Sequence, residues 1–479
     1  MLLSELAEGF KVKNTKDVEI RGIAYNSKKV KESFLFVALK GRNTDGHYFI
    51  QEAIQNGASA LMVEKEVDSP VPIIVSNNTR KDLGIISARF FGFPSKLLKT
   101  IGVTGTNGKT TTTFMIRDML KAQGETVGLL GTIYYCADDN CIPAGRTTPE
   151  SSDIQEFMRN SYNLGARYFV MEVSSAGIEE YRLEGTHFYI GCFTNFSREH
   201  LEYHGTLENY LKAKLKFFKE YKPEFSVINL DDPVAGKFLR VAQYAFTYSI
   251  NSSAADLKAE VVNLDLSGTT INLSGVLEER GIFIPLPGIF NIYNFLCAAL
   301  SLYILGKHHN LKDLAKEIKP VPGRFQLVPN NCGITVIIDY AHTPEAMENL
   351  LKNVRALNVS RIITVFGAGG DRDPGKRPLF GSIAEKYSDI QIVTSDNPRS
   401  ESPIKIIQDI LKGMKGERVK VLPDRKEAIF YAIKKANPGD VVLIIGKGHE
   451  DYQEINGIRY PFSDFEVAEE ALREIQCLH

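Results

Sequence analysis

The residues 102–112, Gly102-Val103-Thr104-Gly105-Thr106-Asn107-Gly108-Lys109-Thr110-Thr111-Thr112, combine paired glycines, one lysine and a row of hydroxyls that suit a polyphosphate. Leu97, Leu98, Ile101 and Val103 lead in, and helix-forming residues follow from Lys109, so the segment reads as strand, phosphate loop and helix. Glycines let the backbone approach phosphate oxygens and turn its N–H groups inward, and a helix N-terminus favours negative charge. Lys109 is placed for the outer phosphates and the Thr110 hydroxyl for magnesium. The spacing departs from GxxxxGK[ST], which needs glycine at Val103; Gly105 and Gly108 give GxxGKT instead. A glycine turn before a helix is often only a turn, but the attached Lys109-Thr110-Thr111 favours a protein that uses a nucleoside triphosphate.

Other chemistry-bearing residues follow apolar runs. Glu172 closes such a run, where a carboxylate beside a phosphate loop can hold magnesium or serve as a capping or surface acid. The run 190–194 leads to Asn195-Phe196-Ser197-Arg198-Glu199-His200, and His200 is a candidate second metal ligand or a structural loop histidine. In the helix expected over 207–221, Lys212, Lys216 and Lys219 share one side, whereas Lys214 falls with Leu211, Leu215 and Phe218. An inward lysine beside phosphate and metal is repelled unless its charge is removed or inverted. Carbamylation by carbon dioxide does that; a snorkelling stem is the alternative. Further on, Asp339-Tyr340-Ala341-His342, Gly367–Arg377, Ser395-Asp396-Asn397-Pro398-Arg399 and Gly446-Lys447-Gly448-His449-Glu450 each follow a strand-like run. Four polar, glycine-rich strand ends point to an anionic or zwitterionic ligand.

The elements that must position these groups alternate along the chain. Runs at Val127–Leu130, 168–173, 190–194 and 226–230, separated by helical patterns, predict a parallel sheet covered by helices. Period-2 patterning with Gly268, Gly275 and Gly281 predicts an antiparallel insertion over 257–286, followed by a helix over 291–305. Thr335–Asp339, Ile362–Phe366, 390–394 and Val441–Ile445 predict a second, Rossmann-like α/β domain after Pro320, Pro322 and Gly323. Before residue 98, short apolar runs flank a helix expected near 49–56 and ended by Gly57. The fold class is therefore α/β in three domains: 1–98, 99–322 and 323–479.

A chain of 479 residues exceeds one ordinary core. A net charge of -1 argues against a nucleic-acid surface. No run approaches the roughly 20 apolar residues that span a bilayer, and the N-terminus lacks a signal-peptide pattern, so a cytoplasmic protein is expected. Six scattered cysteines, at 136, 141, 192, 297, 332 and 477, read as free thiols, and a zinc site at Cys136 and Cys141 is disfavoured.

With these residues in hand, the chain resembles the Mur ligase family across essentially its whole length, and most nearly its diaminopimelate-adding members. The segments that carry the resemblance are GTNGKTT at 105–111, EVSS at 172–175, TNFSREHLEYHGT at 194–206, VPGRF at 321–325, DYAHTPE at 339–345, GDRDPGKRP at 370–378, DNPRSE at 396–401 and GKGHEDYQ at 446–453. NSKKV at 26–30 and LFVALKGRNTDGHYFI at 35–50 look like the family's uridine-diphosphate-binding domain.

The resemblance implies an ATP-dependent ligase of cell-wall precursor synthesis. Such an enzyme joins meso-diaminopimelate to UDP-N-acetylmuramoyl-L-alanyl-D-glutamate through an acyl phosphate, with two magnesium ions and a carbamate on Lys214, acting as a monomer. It implies that Gly105, Thr106, Asn107, Gly108, Lys109, Thr110, Thr111, Asn294, Arg324, Asp339 and His342 serve ATP, and that Thr110, Glu172, His200 and Lys214 serve metal. Lys109, Lys214, His200 and Glu172 are then the catalytic set. Ser27 would hold the uridine end, and Thr147, Thr148, Ser174 and Arg182 the muramoyl-peptide. Arg372, Asp396, Asn397, Arg399, Gly446 and Glu450 would form the pocket for the incoming amino acid, with Arg399 offering a planar fork to the distal carboxylate of diaminopimelate. Ala176 departs from the family's usual histidine, as do Asn26, Glu199 and Ala368 from their usual residues. Alternatives are a sister ligase adding lysine, a folylpolyglutamate synthetase, or a regulator that kept the fold and lost turnover.

Overall fold

The computed structural model describes every residue except 15, 42–43, 358, 417–418 and 477–479. Arg42 and Asn43 of the uridine-domain segment and Cys477 therefore lie outside the described residues. The chain divides into two compact units, residues 1–258, 274–277 and 293–314, and residues 259–273, 278–292 and 315–479.

The first unit opens with five short strands, β1 (Lys11–Lys13), β2 (Gly22–Ala24), β3 (Phe34–Val37), β4 (Ala58–Val63) and β5 (Ile73–Val75), in the order β1-β5-β4-β3-β2. The expected helix is Ile50–Gln55, and Gly57 leaves it at φ +104°, a conformation that suits glycine. Its larger sheet comprises β6 (Lys99–Thr104), β7 (Val127–Leu130), β8 (Tyr134–Ala137), β9 (Asn140–Pro143), β10 (Tyr168–Glu172), β11 (Ile190–Phe193), β12 (Phe225–Asn229) and β13 (Ala245–Ser249). The order is β13-β12-β11-β6-β10-β7-β8-β9. The neighbours from β13 to β7 are parallel, and β6, β7, β10 and β11 are buried almost throughout. Burial on both faces is why these strands read as continuous apolar runs. Their registers, Glu172 opposite Val103, Phe193 opposite Thr104 and Met171 opposite Leu130, bring the ends of four strands to one edge. Ligands of open α/β sheets bind at that carboxyl edge.

The helix Leu207–Lys219 is capped by the Thr206 hydroxyl, which accepts from the Asn209 N–H at 3.1 Å. It buries Tyr210, Leu211, Ala213, Lys214, Phe217 and Phe218. Phe217 meets Phe188 edge to face at 4.9 Å, and Phe218 meets Phe238 at 5.4 Å. Each buried phenyl contributes roughly 2–3 kcal/mol, enough to hold the helix while it carries a lysine inward.

In the second unit, β14 (Leu257–Asp265), β15 (Gly268–Gly275) and β16 (Glu279–Ile284) supply most of the expected antiparallel insertion, with β15 and β16 paired antiparallel. A six-stranded sheet follows, formed by β17 (Gln326–Val328), β18 (Thr335–Asp339), β19 (Ile362–Phe366), β20 (Ile390–Val393), β21 (Val419–Val421) and β22 (Val441–Ile445), in the order β17-β18-β22-β19-β20-β21. All its pairs except β17 with β18 are parallel. Asp339 lies opposite Ile445 and Phe366 opposite Val393, so the four polar segments singled out in the sequence share one edge. A hairpin, β23 (Tyr452–Ile455) and β24 (Ile458–Pro461), and the helix Asp464–Glu474 complete the chain. Among the described residues, no helix is long and apolar enough to cross a membrane.

The cysteines correct one expectation. Cys136 and Cys141 are joined in a disulfide, and Cys332 is also disulfide-bonded, while Cys192 and Cys297 are buried free thiols. The cause is local: β8 and β9 pair antiparallel with Cys136 directly opposite Cys141, a hairpin that the sequence reading does not include. Replacing both by serine is expected to lower the unfolding free energy by about 2 kcal/mol at most, the loop-closure value for so short a ring. Thermal melting with and without a reductant checks this.

Candidate functional site

The phosphate loop is built by the turn from β6 into the helix Lys109–Lys121. Gly105 and Gly108 adopt φ +150° and +83°, and a Cβ there would lie 1.9 Å from Thr194 Oγ1 and 2.3 Å from Asn294 Oδ1. Both positions thus require glycine for backbone conformation and for space. The segment after β11 locks the loop. The Thr106 N–H donates to the Asn195 carbonyl at 2.9 Å, the Asn107 N–H to Asn195 Oδ1 at 2.9 Å, and Thr194 Oγ1 to the Asn107 carbonyl at 2.6 Å. Thr106 Oγ1 in turn accepts from the Ser197 N–H at 3.0 Å. A loop so held fixes the helix start at Gly108 and Lys109, whose amides then need no reorganisation, which is what electrostatic stabilisation of a phosphoryl group requires. Gly105→Ala is expected to weaken ADP binding about tenfold or more, from the methyl clash and the strained φ. Calorimetry measures it, and unchanged affinity would contradict the assignment.

Lys109 Nζ donates to the carbonyls of Gly105 and Thr106 at 2.9 and 2.7 Å. Lys214, 1 % exposed, donates to the same Gly105 carbonyl at 2.7 Å. Burial, reinforced by the Lys109 charge, pushes the Lys214 amine well below the ordinary lysine range. The helical phase of Lys214 is therefore borne out: the residue is buried and its amine meets the phosphate loop, where a snorkelling stem would have carried it to solvent.

Glu172 is fully buried, which excludes the surface-acid alternative. Its Oε1 accepts from the Thr132 N–H at 2.7 Å and its Oε2 from the Thr132 hydroxyl at 3.0 Å. Both of these donors are neutral, so neither forms an ion pair with the carboxylate. Thr132 is a site residue that the sequence reading misses; it stands two residues beyond β7, at the same sheet edge. Its hydroxyl shares a hydrogen bond with that of Thr147 at 3.1 Å. Thr148 Oγ1 donates to the Glu172 carbonyl at 2.9 Å and accepts from the Ser174 N–H at 3.0 Å, and Arg182 donates to the Thr148 carbonyl at 2.8 Å. Thr147, Thr148, Ser174, Arg182 and Glu172 thus form one connected network.

His200 is about half exposed at φ +56°, with Glu199 and Glu202 each 3.7 Å from its ring nitrogens. Partial burial lowers its pKa against the pull of Glu199, with the Lys109 charge adding to the lowering, so the neutral imidazole that can ligate is favoured. His204, also missed in the sequence, is buried and shares a hydrogen bond with Ser175 Oγ at 2.9 Å, next to Ala176. An imidazole therefore reaches this turn although Ala176 lacks one. Asn294 is buried on the helix Ile289–Ile304 and accepts from Thr112 Oγ1 at 3.3 Å, against the phosphate loop. Ser27, in contrast, lies with the first sheet, its hydroxyl donating to Glu52 at 2.7 Å.

Among the described residues, no group of three or more His, Cys, Asp or Glu side chains forms a metal cage. Magnesium suits such a site, because it keeps several waters and takes one or two protein ligands plus phosphate oxygens. Thr110 and Glu172 offer the hard oxygen donors it prefers.

In the second unit, Asp339 accepts from the Phe325 and Ala341 N–H groups at 2.7 and 2.8 Å, and burial raises its pKa against the pull of Arg324. The Arg324 guanidinium lies 4.7 Å over the Tyr340 ring, which also contacts His342 and His449 at 4.5 and 5.1 Å. Burial and the neighbouring Arg324 push His449 down to about 4, so it is neutral at pH 7. Beside them, Asn397 Nδ2 donates to Glu450 Oε2 at 2.8 Å, and Lys447, fully buried, donates to Asn397 Oδ1 and Glu450 Oε2 at 3.1 Å each. A Cβ on Gly446 would lie 2.4 Å from Asp396 Oδ2. Arg399, at φ +50°, donates to the Gly370 carbonyl at 2.6 Å, and Arg372 is exposed on the adjoining loop. Carboxylates, an amide and cations thus gather at this strand edge.

Three family profiles match the chain: "Mur ligase family, catalytic domain" over residues 19–89, "Mur ligase middle domain" over 103–302 and "Mur ligase, glutamate ligase domain" over 323–448. The UDP-N-acetylmuramoyl-L-alanyl-D-glutamate–2,6-diaminopimelate ligase of Aquifex aeolicus is 45% identical to it, covering 96% of this chain and 95% of its own. The like-named protein of Clostridioides difficile is 42% identical over 99% of this chain and 100% of its own. A solved structure of a ligase of that name is 33% identical with a TM-score of 0.69, covering 96% of both chains. MurF of Thermotoga maritima in complex with ADP, at 21% identity, TM-score 0.66 and coverage of 95% and 97%, shares the fold.

Proposed function

Since this chain belongs to the Mur ligase family, we propose that it is the ATP-dependent ligase that adds meso-2,6-diaminopimelate to UDP-N-acetylmuramoyl-L-alanyl-D-glutamate in peptidoglycan precursor synthesis. The observation that carries this reading is 45% identity to a ligase of that name across 96% of the chain. In the reaction, an oxygen of the D-glutamate side-chain carboxylate attacks the γ-phosphorus of ATP, and ADP leaves. The amine of diaminopimelate then attacks the acyl phosphate carbonyl and loses a proton, and inorganic phosphate departs with that carboxylate oxygen. No side-chain nucleophile is required, so catalysis is positioning and charge stabilisation.

The contacts support the following roles. The amides of 108–110 at the helix start and the Lys109 ammonium cradle the phosphates, with Lys109 leaving its carbonyl partners for the γ-phosphoryl group. Thr110, Glu172 and His200 would hold magnesium, which neutralises charge between carboxylate and triphosphate. The Lys214 amine, neutral through burial, is the form that adds carbon dioxide, and a carbamate there would face the same site. Thr147, Thr148, Ser174 and Arg182 bind the muramoyl-peptide, and Ser27 serves the uridine end. Asn294, Arg324, Asp339 and His342 serve ATP. Arg372, Asp396, Asn397, Arg399, Gly446 and Glu450 take the amino acid. Lobes at 1–98, 99–322 and 323–479 divide these tasks. We propose a cytoplasmic monomer.

Labelling the D-glutamate side-chain carboxylate with oxygen-18 tests the chemistry. One labelled atom is expected in each phosphate released; unlabelled phosphate would rule out the acyl phosphate.

A further inference from the structure

Arg425 and Asp464 form a buried ion pair that the mechanism above does not use. Arg425 is 1 % exposed and Asp464 fully buried, and the pair is bidentate: Nε to Oδ1 and Nη2 to Oδ2, both 2.7 Å. Each residue opens a helix, Arg425–Lys435 and Asp464–Glu474. A pair with no further role is expensive to bury, because desolvating two charges offsets most of their attraction. The remaining guanidinium donors indicate what it does. Nη1 donates to the Ser395 carbonyl at 3.3 Å, and Nη2 to the Ile445 carbonyl at 3.1 Å.

Those two carbonyls stand immediately before the two halves of the amino-acid pocket. Ser395 precedes Asp396 and Asn397, and Ile445 precedes Gly446, Lys447 and Glu450. β20 and β22 are not neighbours in the sheet; β19 lies between them. Arg425 therefore bridges two strand ends that no ladder hydrogen bond connects. The pocket itself depends on their separation, since Asn397 must reach Glu450 at 2.8 Å and Lys447 at 3.1 Å, and Asp396 Oδ2 packs against Gly446. Burial works against the Arg425 charge, but Asp464 outweighs it and orients the guanidinium, and the nearby Asp396 and Glu450 add to the rise in its pKa.

We propose that Arg425, anchored by Asp464, is a positioning residue that sets the distance between the Asp396–Asn397 and Gly446–Glu450 loops, and so sets affinity for the incoming amino acid. The proposal rests on the amino-acid pocket assigned above. Arg425 touches no reacting atom and acts only through the two carbonyls.

The test is steady-state kinetics on the full-length enzyme, varying each substrate in turn. In Arg425→Met/Asp464→Leu the charges are removed together, so the apolar replacement avoids a stranded buried charge. KM for diaminopimelate is expected to rise on the order of tenfold or more, the scale of a displaced binding group. KM for the UDP-dipeptide should stay within about twofold of wild type, and KM for ATP should rise less than that for diaminopimelate, since Asp339 stands beside Gly446 but is not tied to Arg425. Arg425→Lys keeps the charge but has one head group for three acceptors, and an intermediate rise in the same KM is expected. A double variant that melts like wild type and keeps the wild-type KM for diaminopimelate would overturn the proposal, as would equal rises in all three KM values. If neither variant folds, hydrogen exchange on the wild-type enzyme decides. Diaminopimelate, added with the UDP-dipeptide and a non-hydrolysable ATP analogue, should slow exchange at both loops and at the first turn after Arg425. Protection of one loop without the other would overturn the proposal. Wild-type enzyme that never uses diaminopimelate would instead defeat the pocket assignment and leave no such KM to compare.

Discussion

Lys214→Ala is expected to lower the rate of phosphate release by about a thousandfold, the scale of losing one preorganised charged group at a phosphoryl-transfer site. The buried amine lies 2.7 Å from the Gly105 carbonyl, and Lys109 donates to that carbonyl as well. Two ammonium groups on one acceptor repel, and burial adds to the penalty, so the depressed pKa of Lys214 favours the free amine. Reaction of that neutral amine with carbon dioxide joins its nitrogen to carbon and releases one proton, leaving an anion that a magnesium ion would stabilise. Two signatures separate this from a role as a cation. Stripping carbon dioxide from the buffer should depress wild-type activity, and acetate or propionate should restore part of the activity of Lys214→Ala, while alkylamines should not. Rescue by an alkylamine alone would sink the carbamate and leave Lys214 as a plain cation. Lys214→Met, which keeps most of the buried stem and removes the amine, controls for the cavity.

Arg399→Ala is expected to raise KM for diaminopimelate by about a hundredfold, the cost of removing one partner from a desolvated guanidinium–carboxylate pair. The physical reason is substrate charge: diaminopimelate carries a distal carboxylate that lysine lacks. Arg399 is held for that task by its backbone. Its N–H donates to the Glu454 carbonyl at 3.0 Å, its carbonyl accepts from the Asn456 N–H at 2.7 Å, and it adopts φ +50°, an uncommon conformation for arginine. The guanidinium is braced on the Gly370 carbonyl at 2.6 Å, and a Cβ on Gly369 would lie 3.0 Å from it. The preference for diaminopimelate over lysine should fall by a similar factor, because lysine gains nothing from the fork. Arg399→Lys should lie between, since a point charge replaces a planar pair of donors. Equal losses for both amino acids would show that Arg399 supports the loop and does not select the substrate.

Much of this site is legible in the amino-acid order because parallel strands impose a simple rule. Apolar runs such as Val441–Ile445 are buried on both faces, and the polar residues that follow them fall at the carboxyl edge. Glu172, Asp339, Asp396 and Gly446 are found that way. Lys214 is legible by helical phase, since a charge among Leu211, Leu215 and Phe218 has no solvent to reach. Other residues give no local signal. Asn294 sits in an almost wholly apolar helix, where periodicity does not distinguish the face toward Thr112. Thr132 and Lys447 look like turn residues until β7 and β22 bring them against Glu172 and Glu450. The Cys136–Cys141 link depends on a hairpin register, and Arg425 on strands that come together only in three dimensions.

The most direct measurement supplies purified enzyme with bicarbonate, magnesium, ATP, UDP-N-acetylmuramoyl-L-alanyl-D-glutamate and meso-diaminopimelate, then weighs the products by mass spectrometry. We expect one ADP, one phosphate and one UDP-tripeptide per turnover, with phosphate release requiring both the UDP-dipeptide and the amino acid. ATP hydrolysis that proceeds without the amino acid, or no joined product with every reactant present, would contradict the assignment.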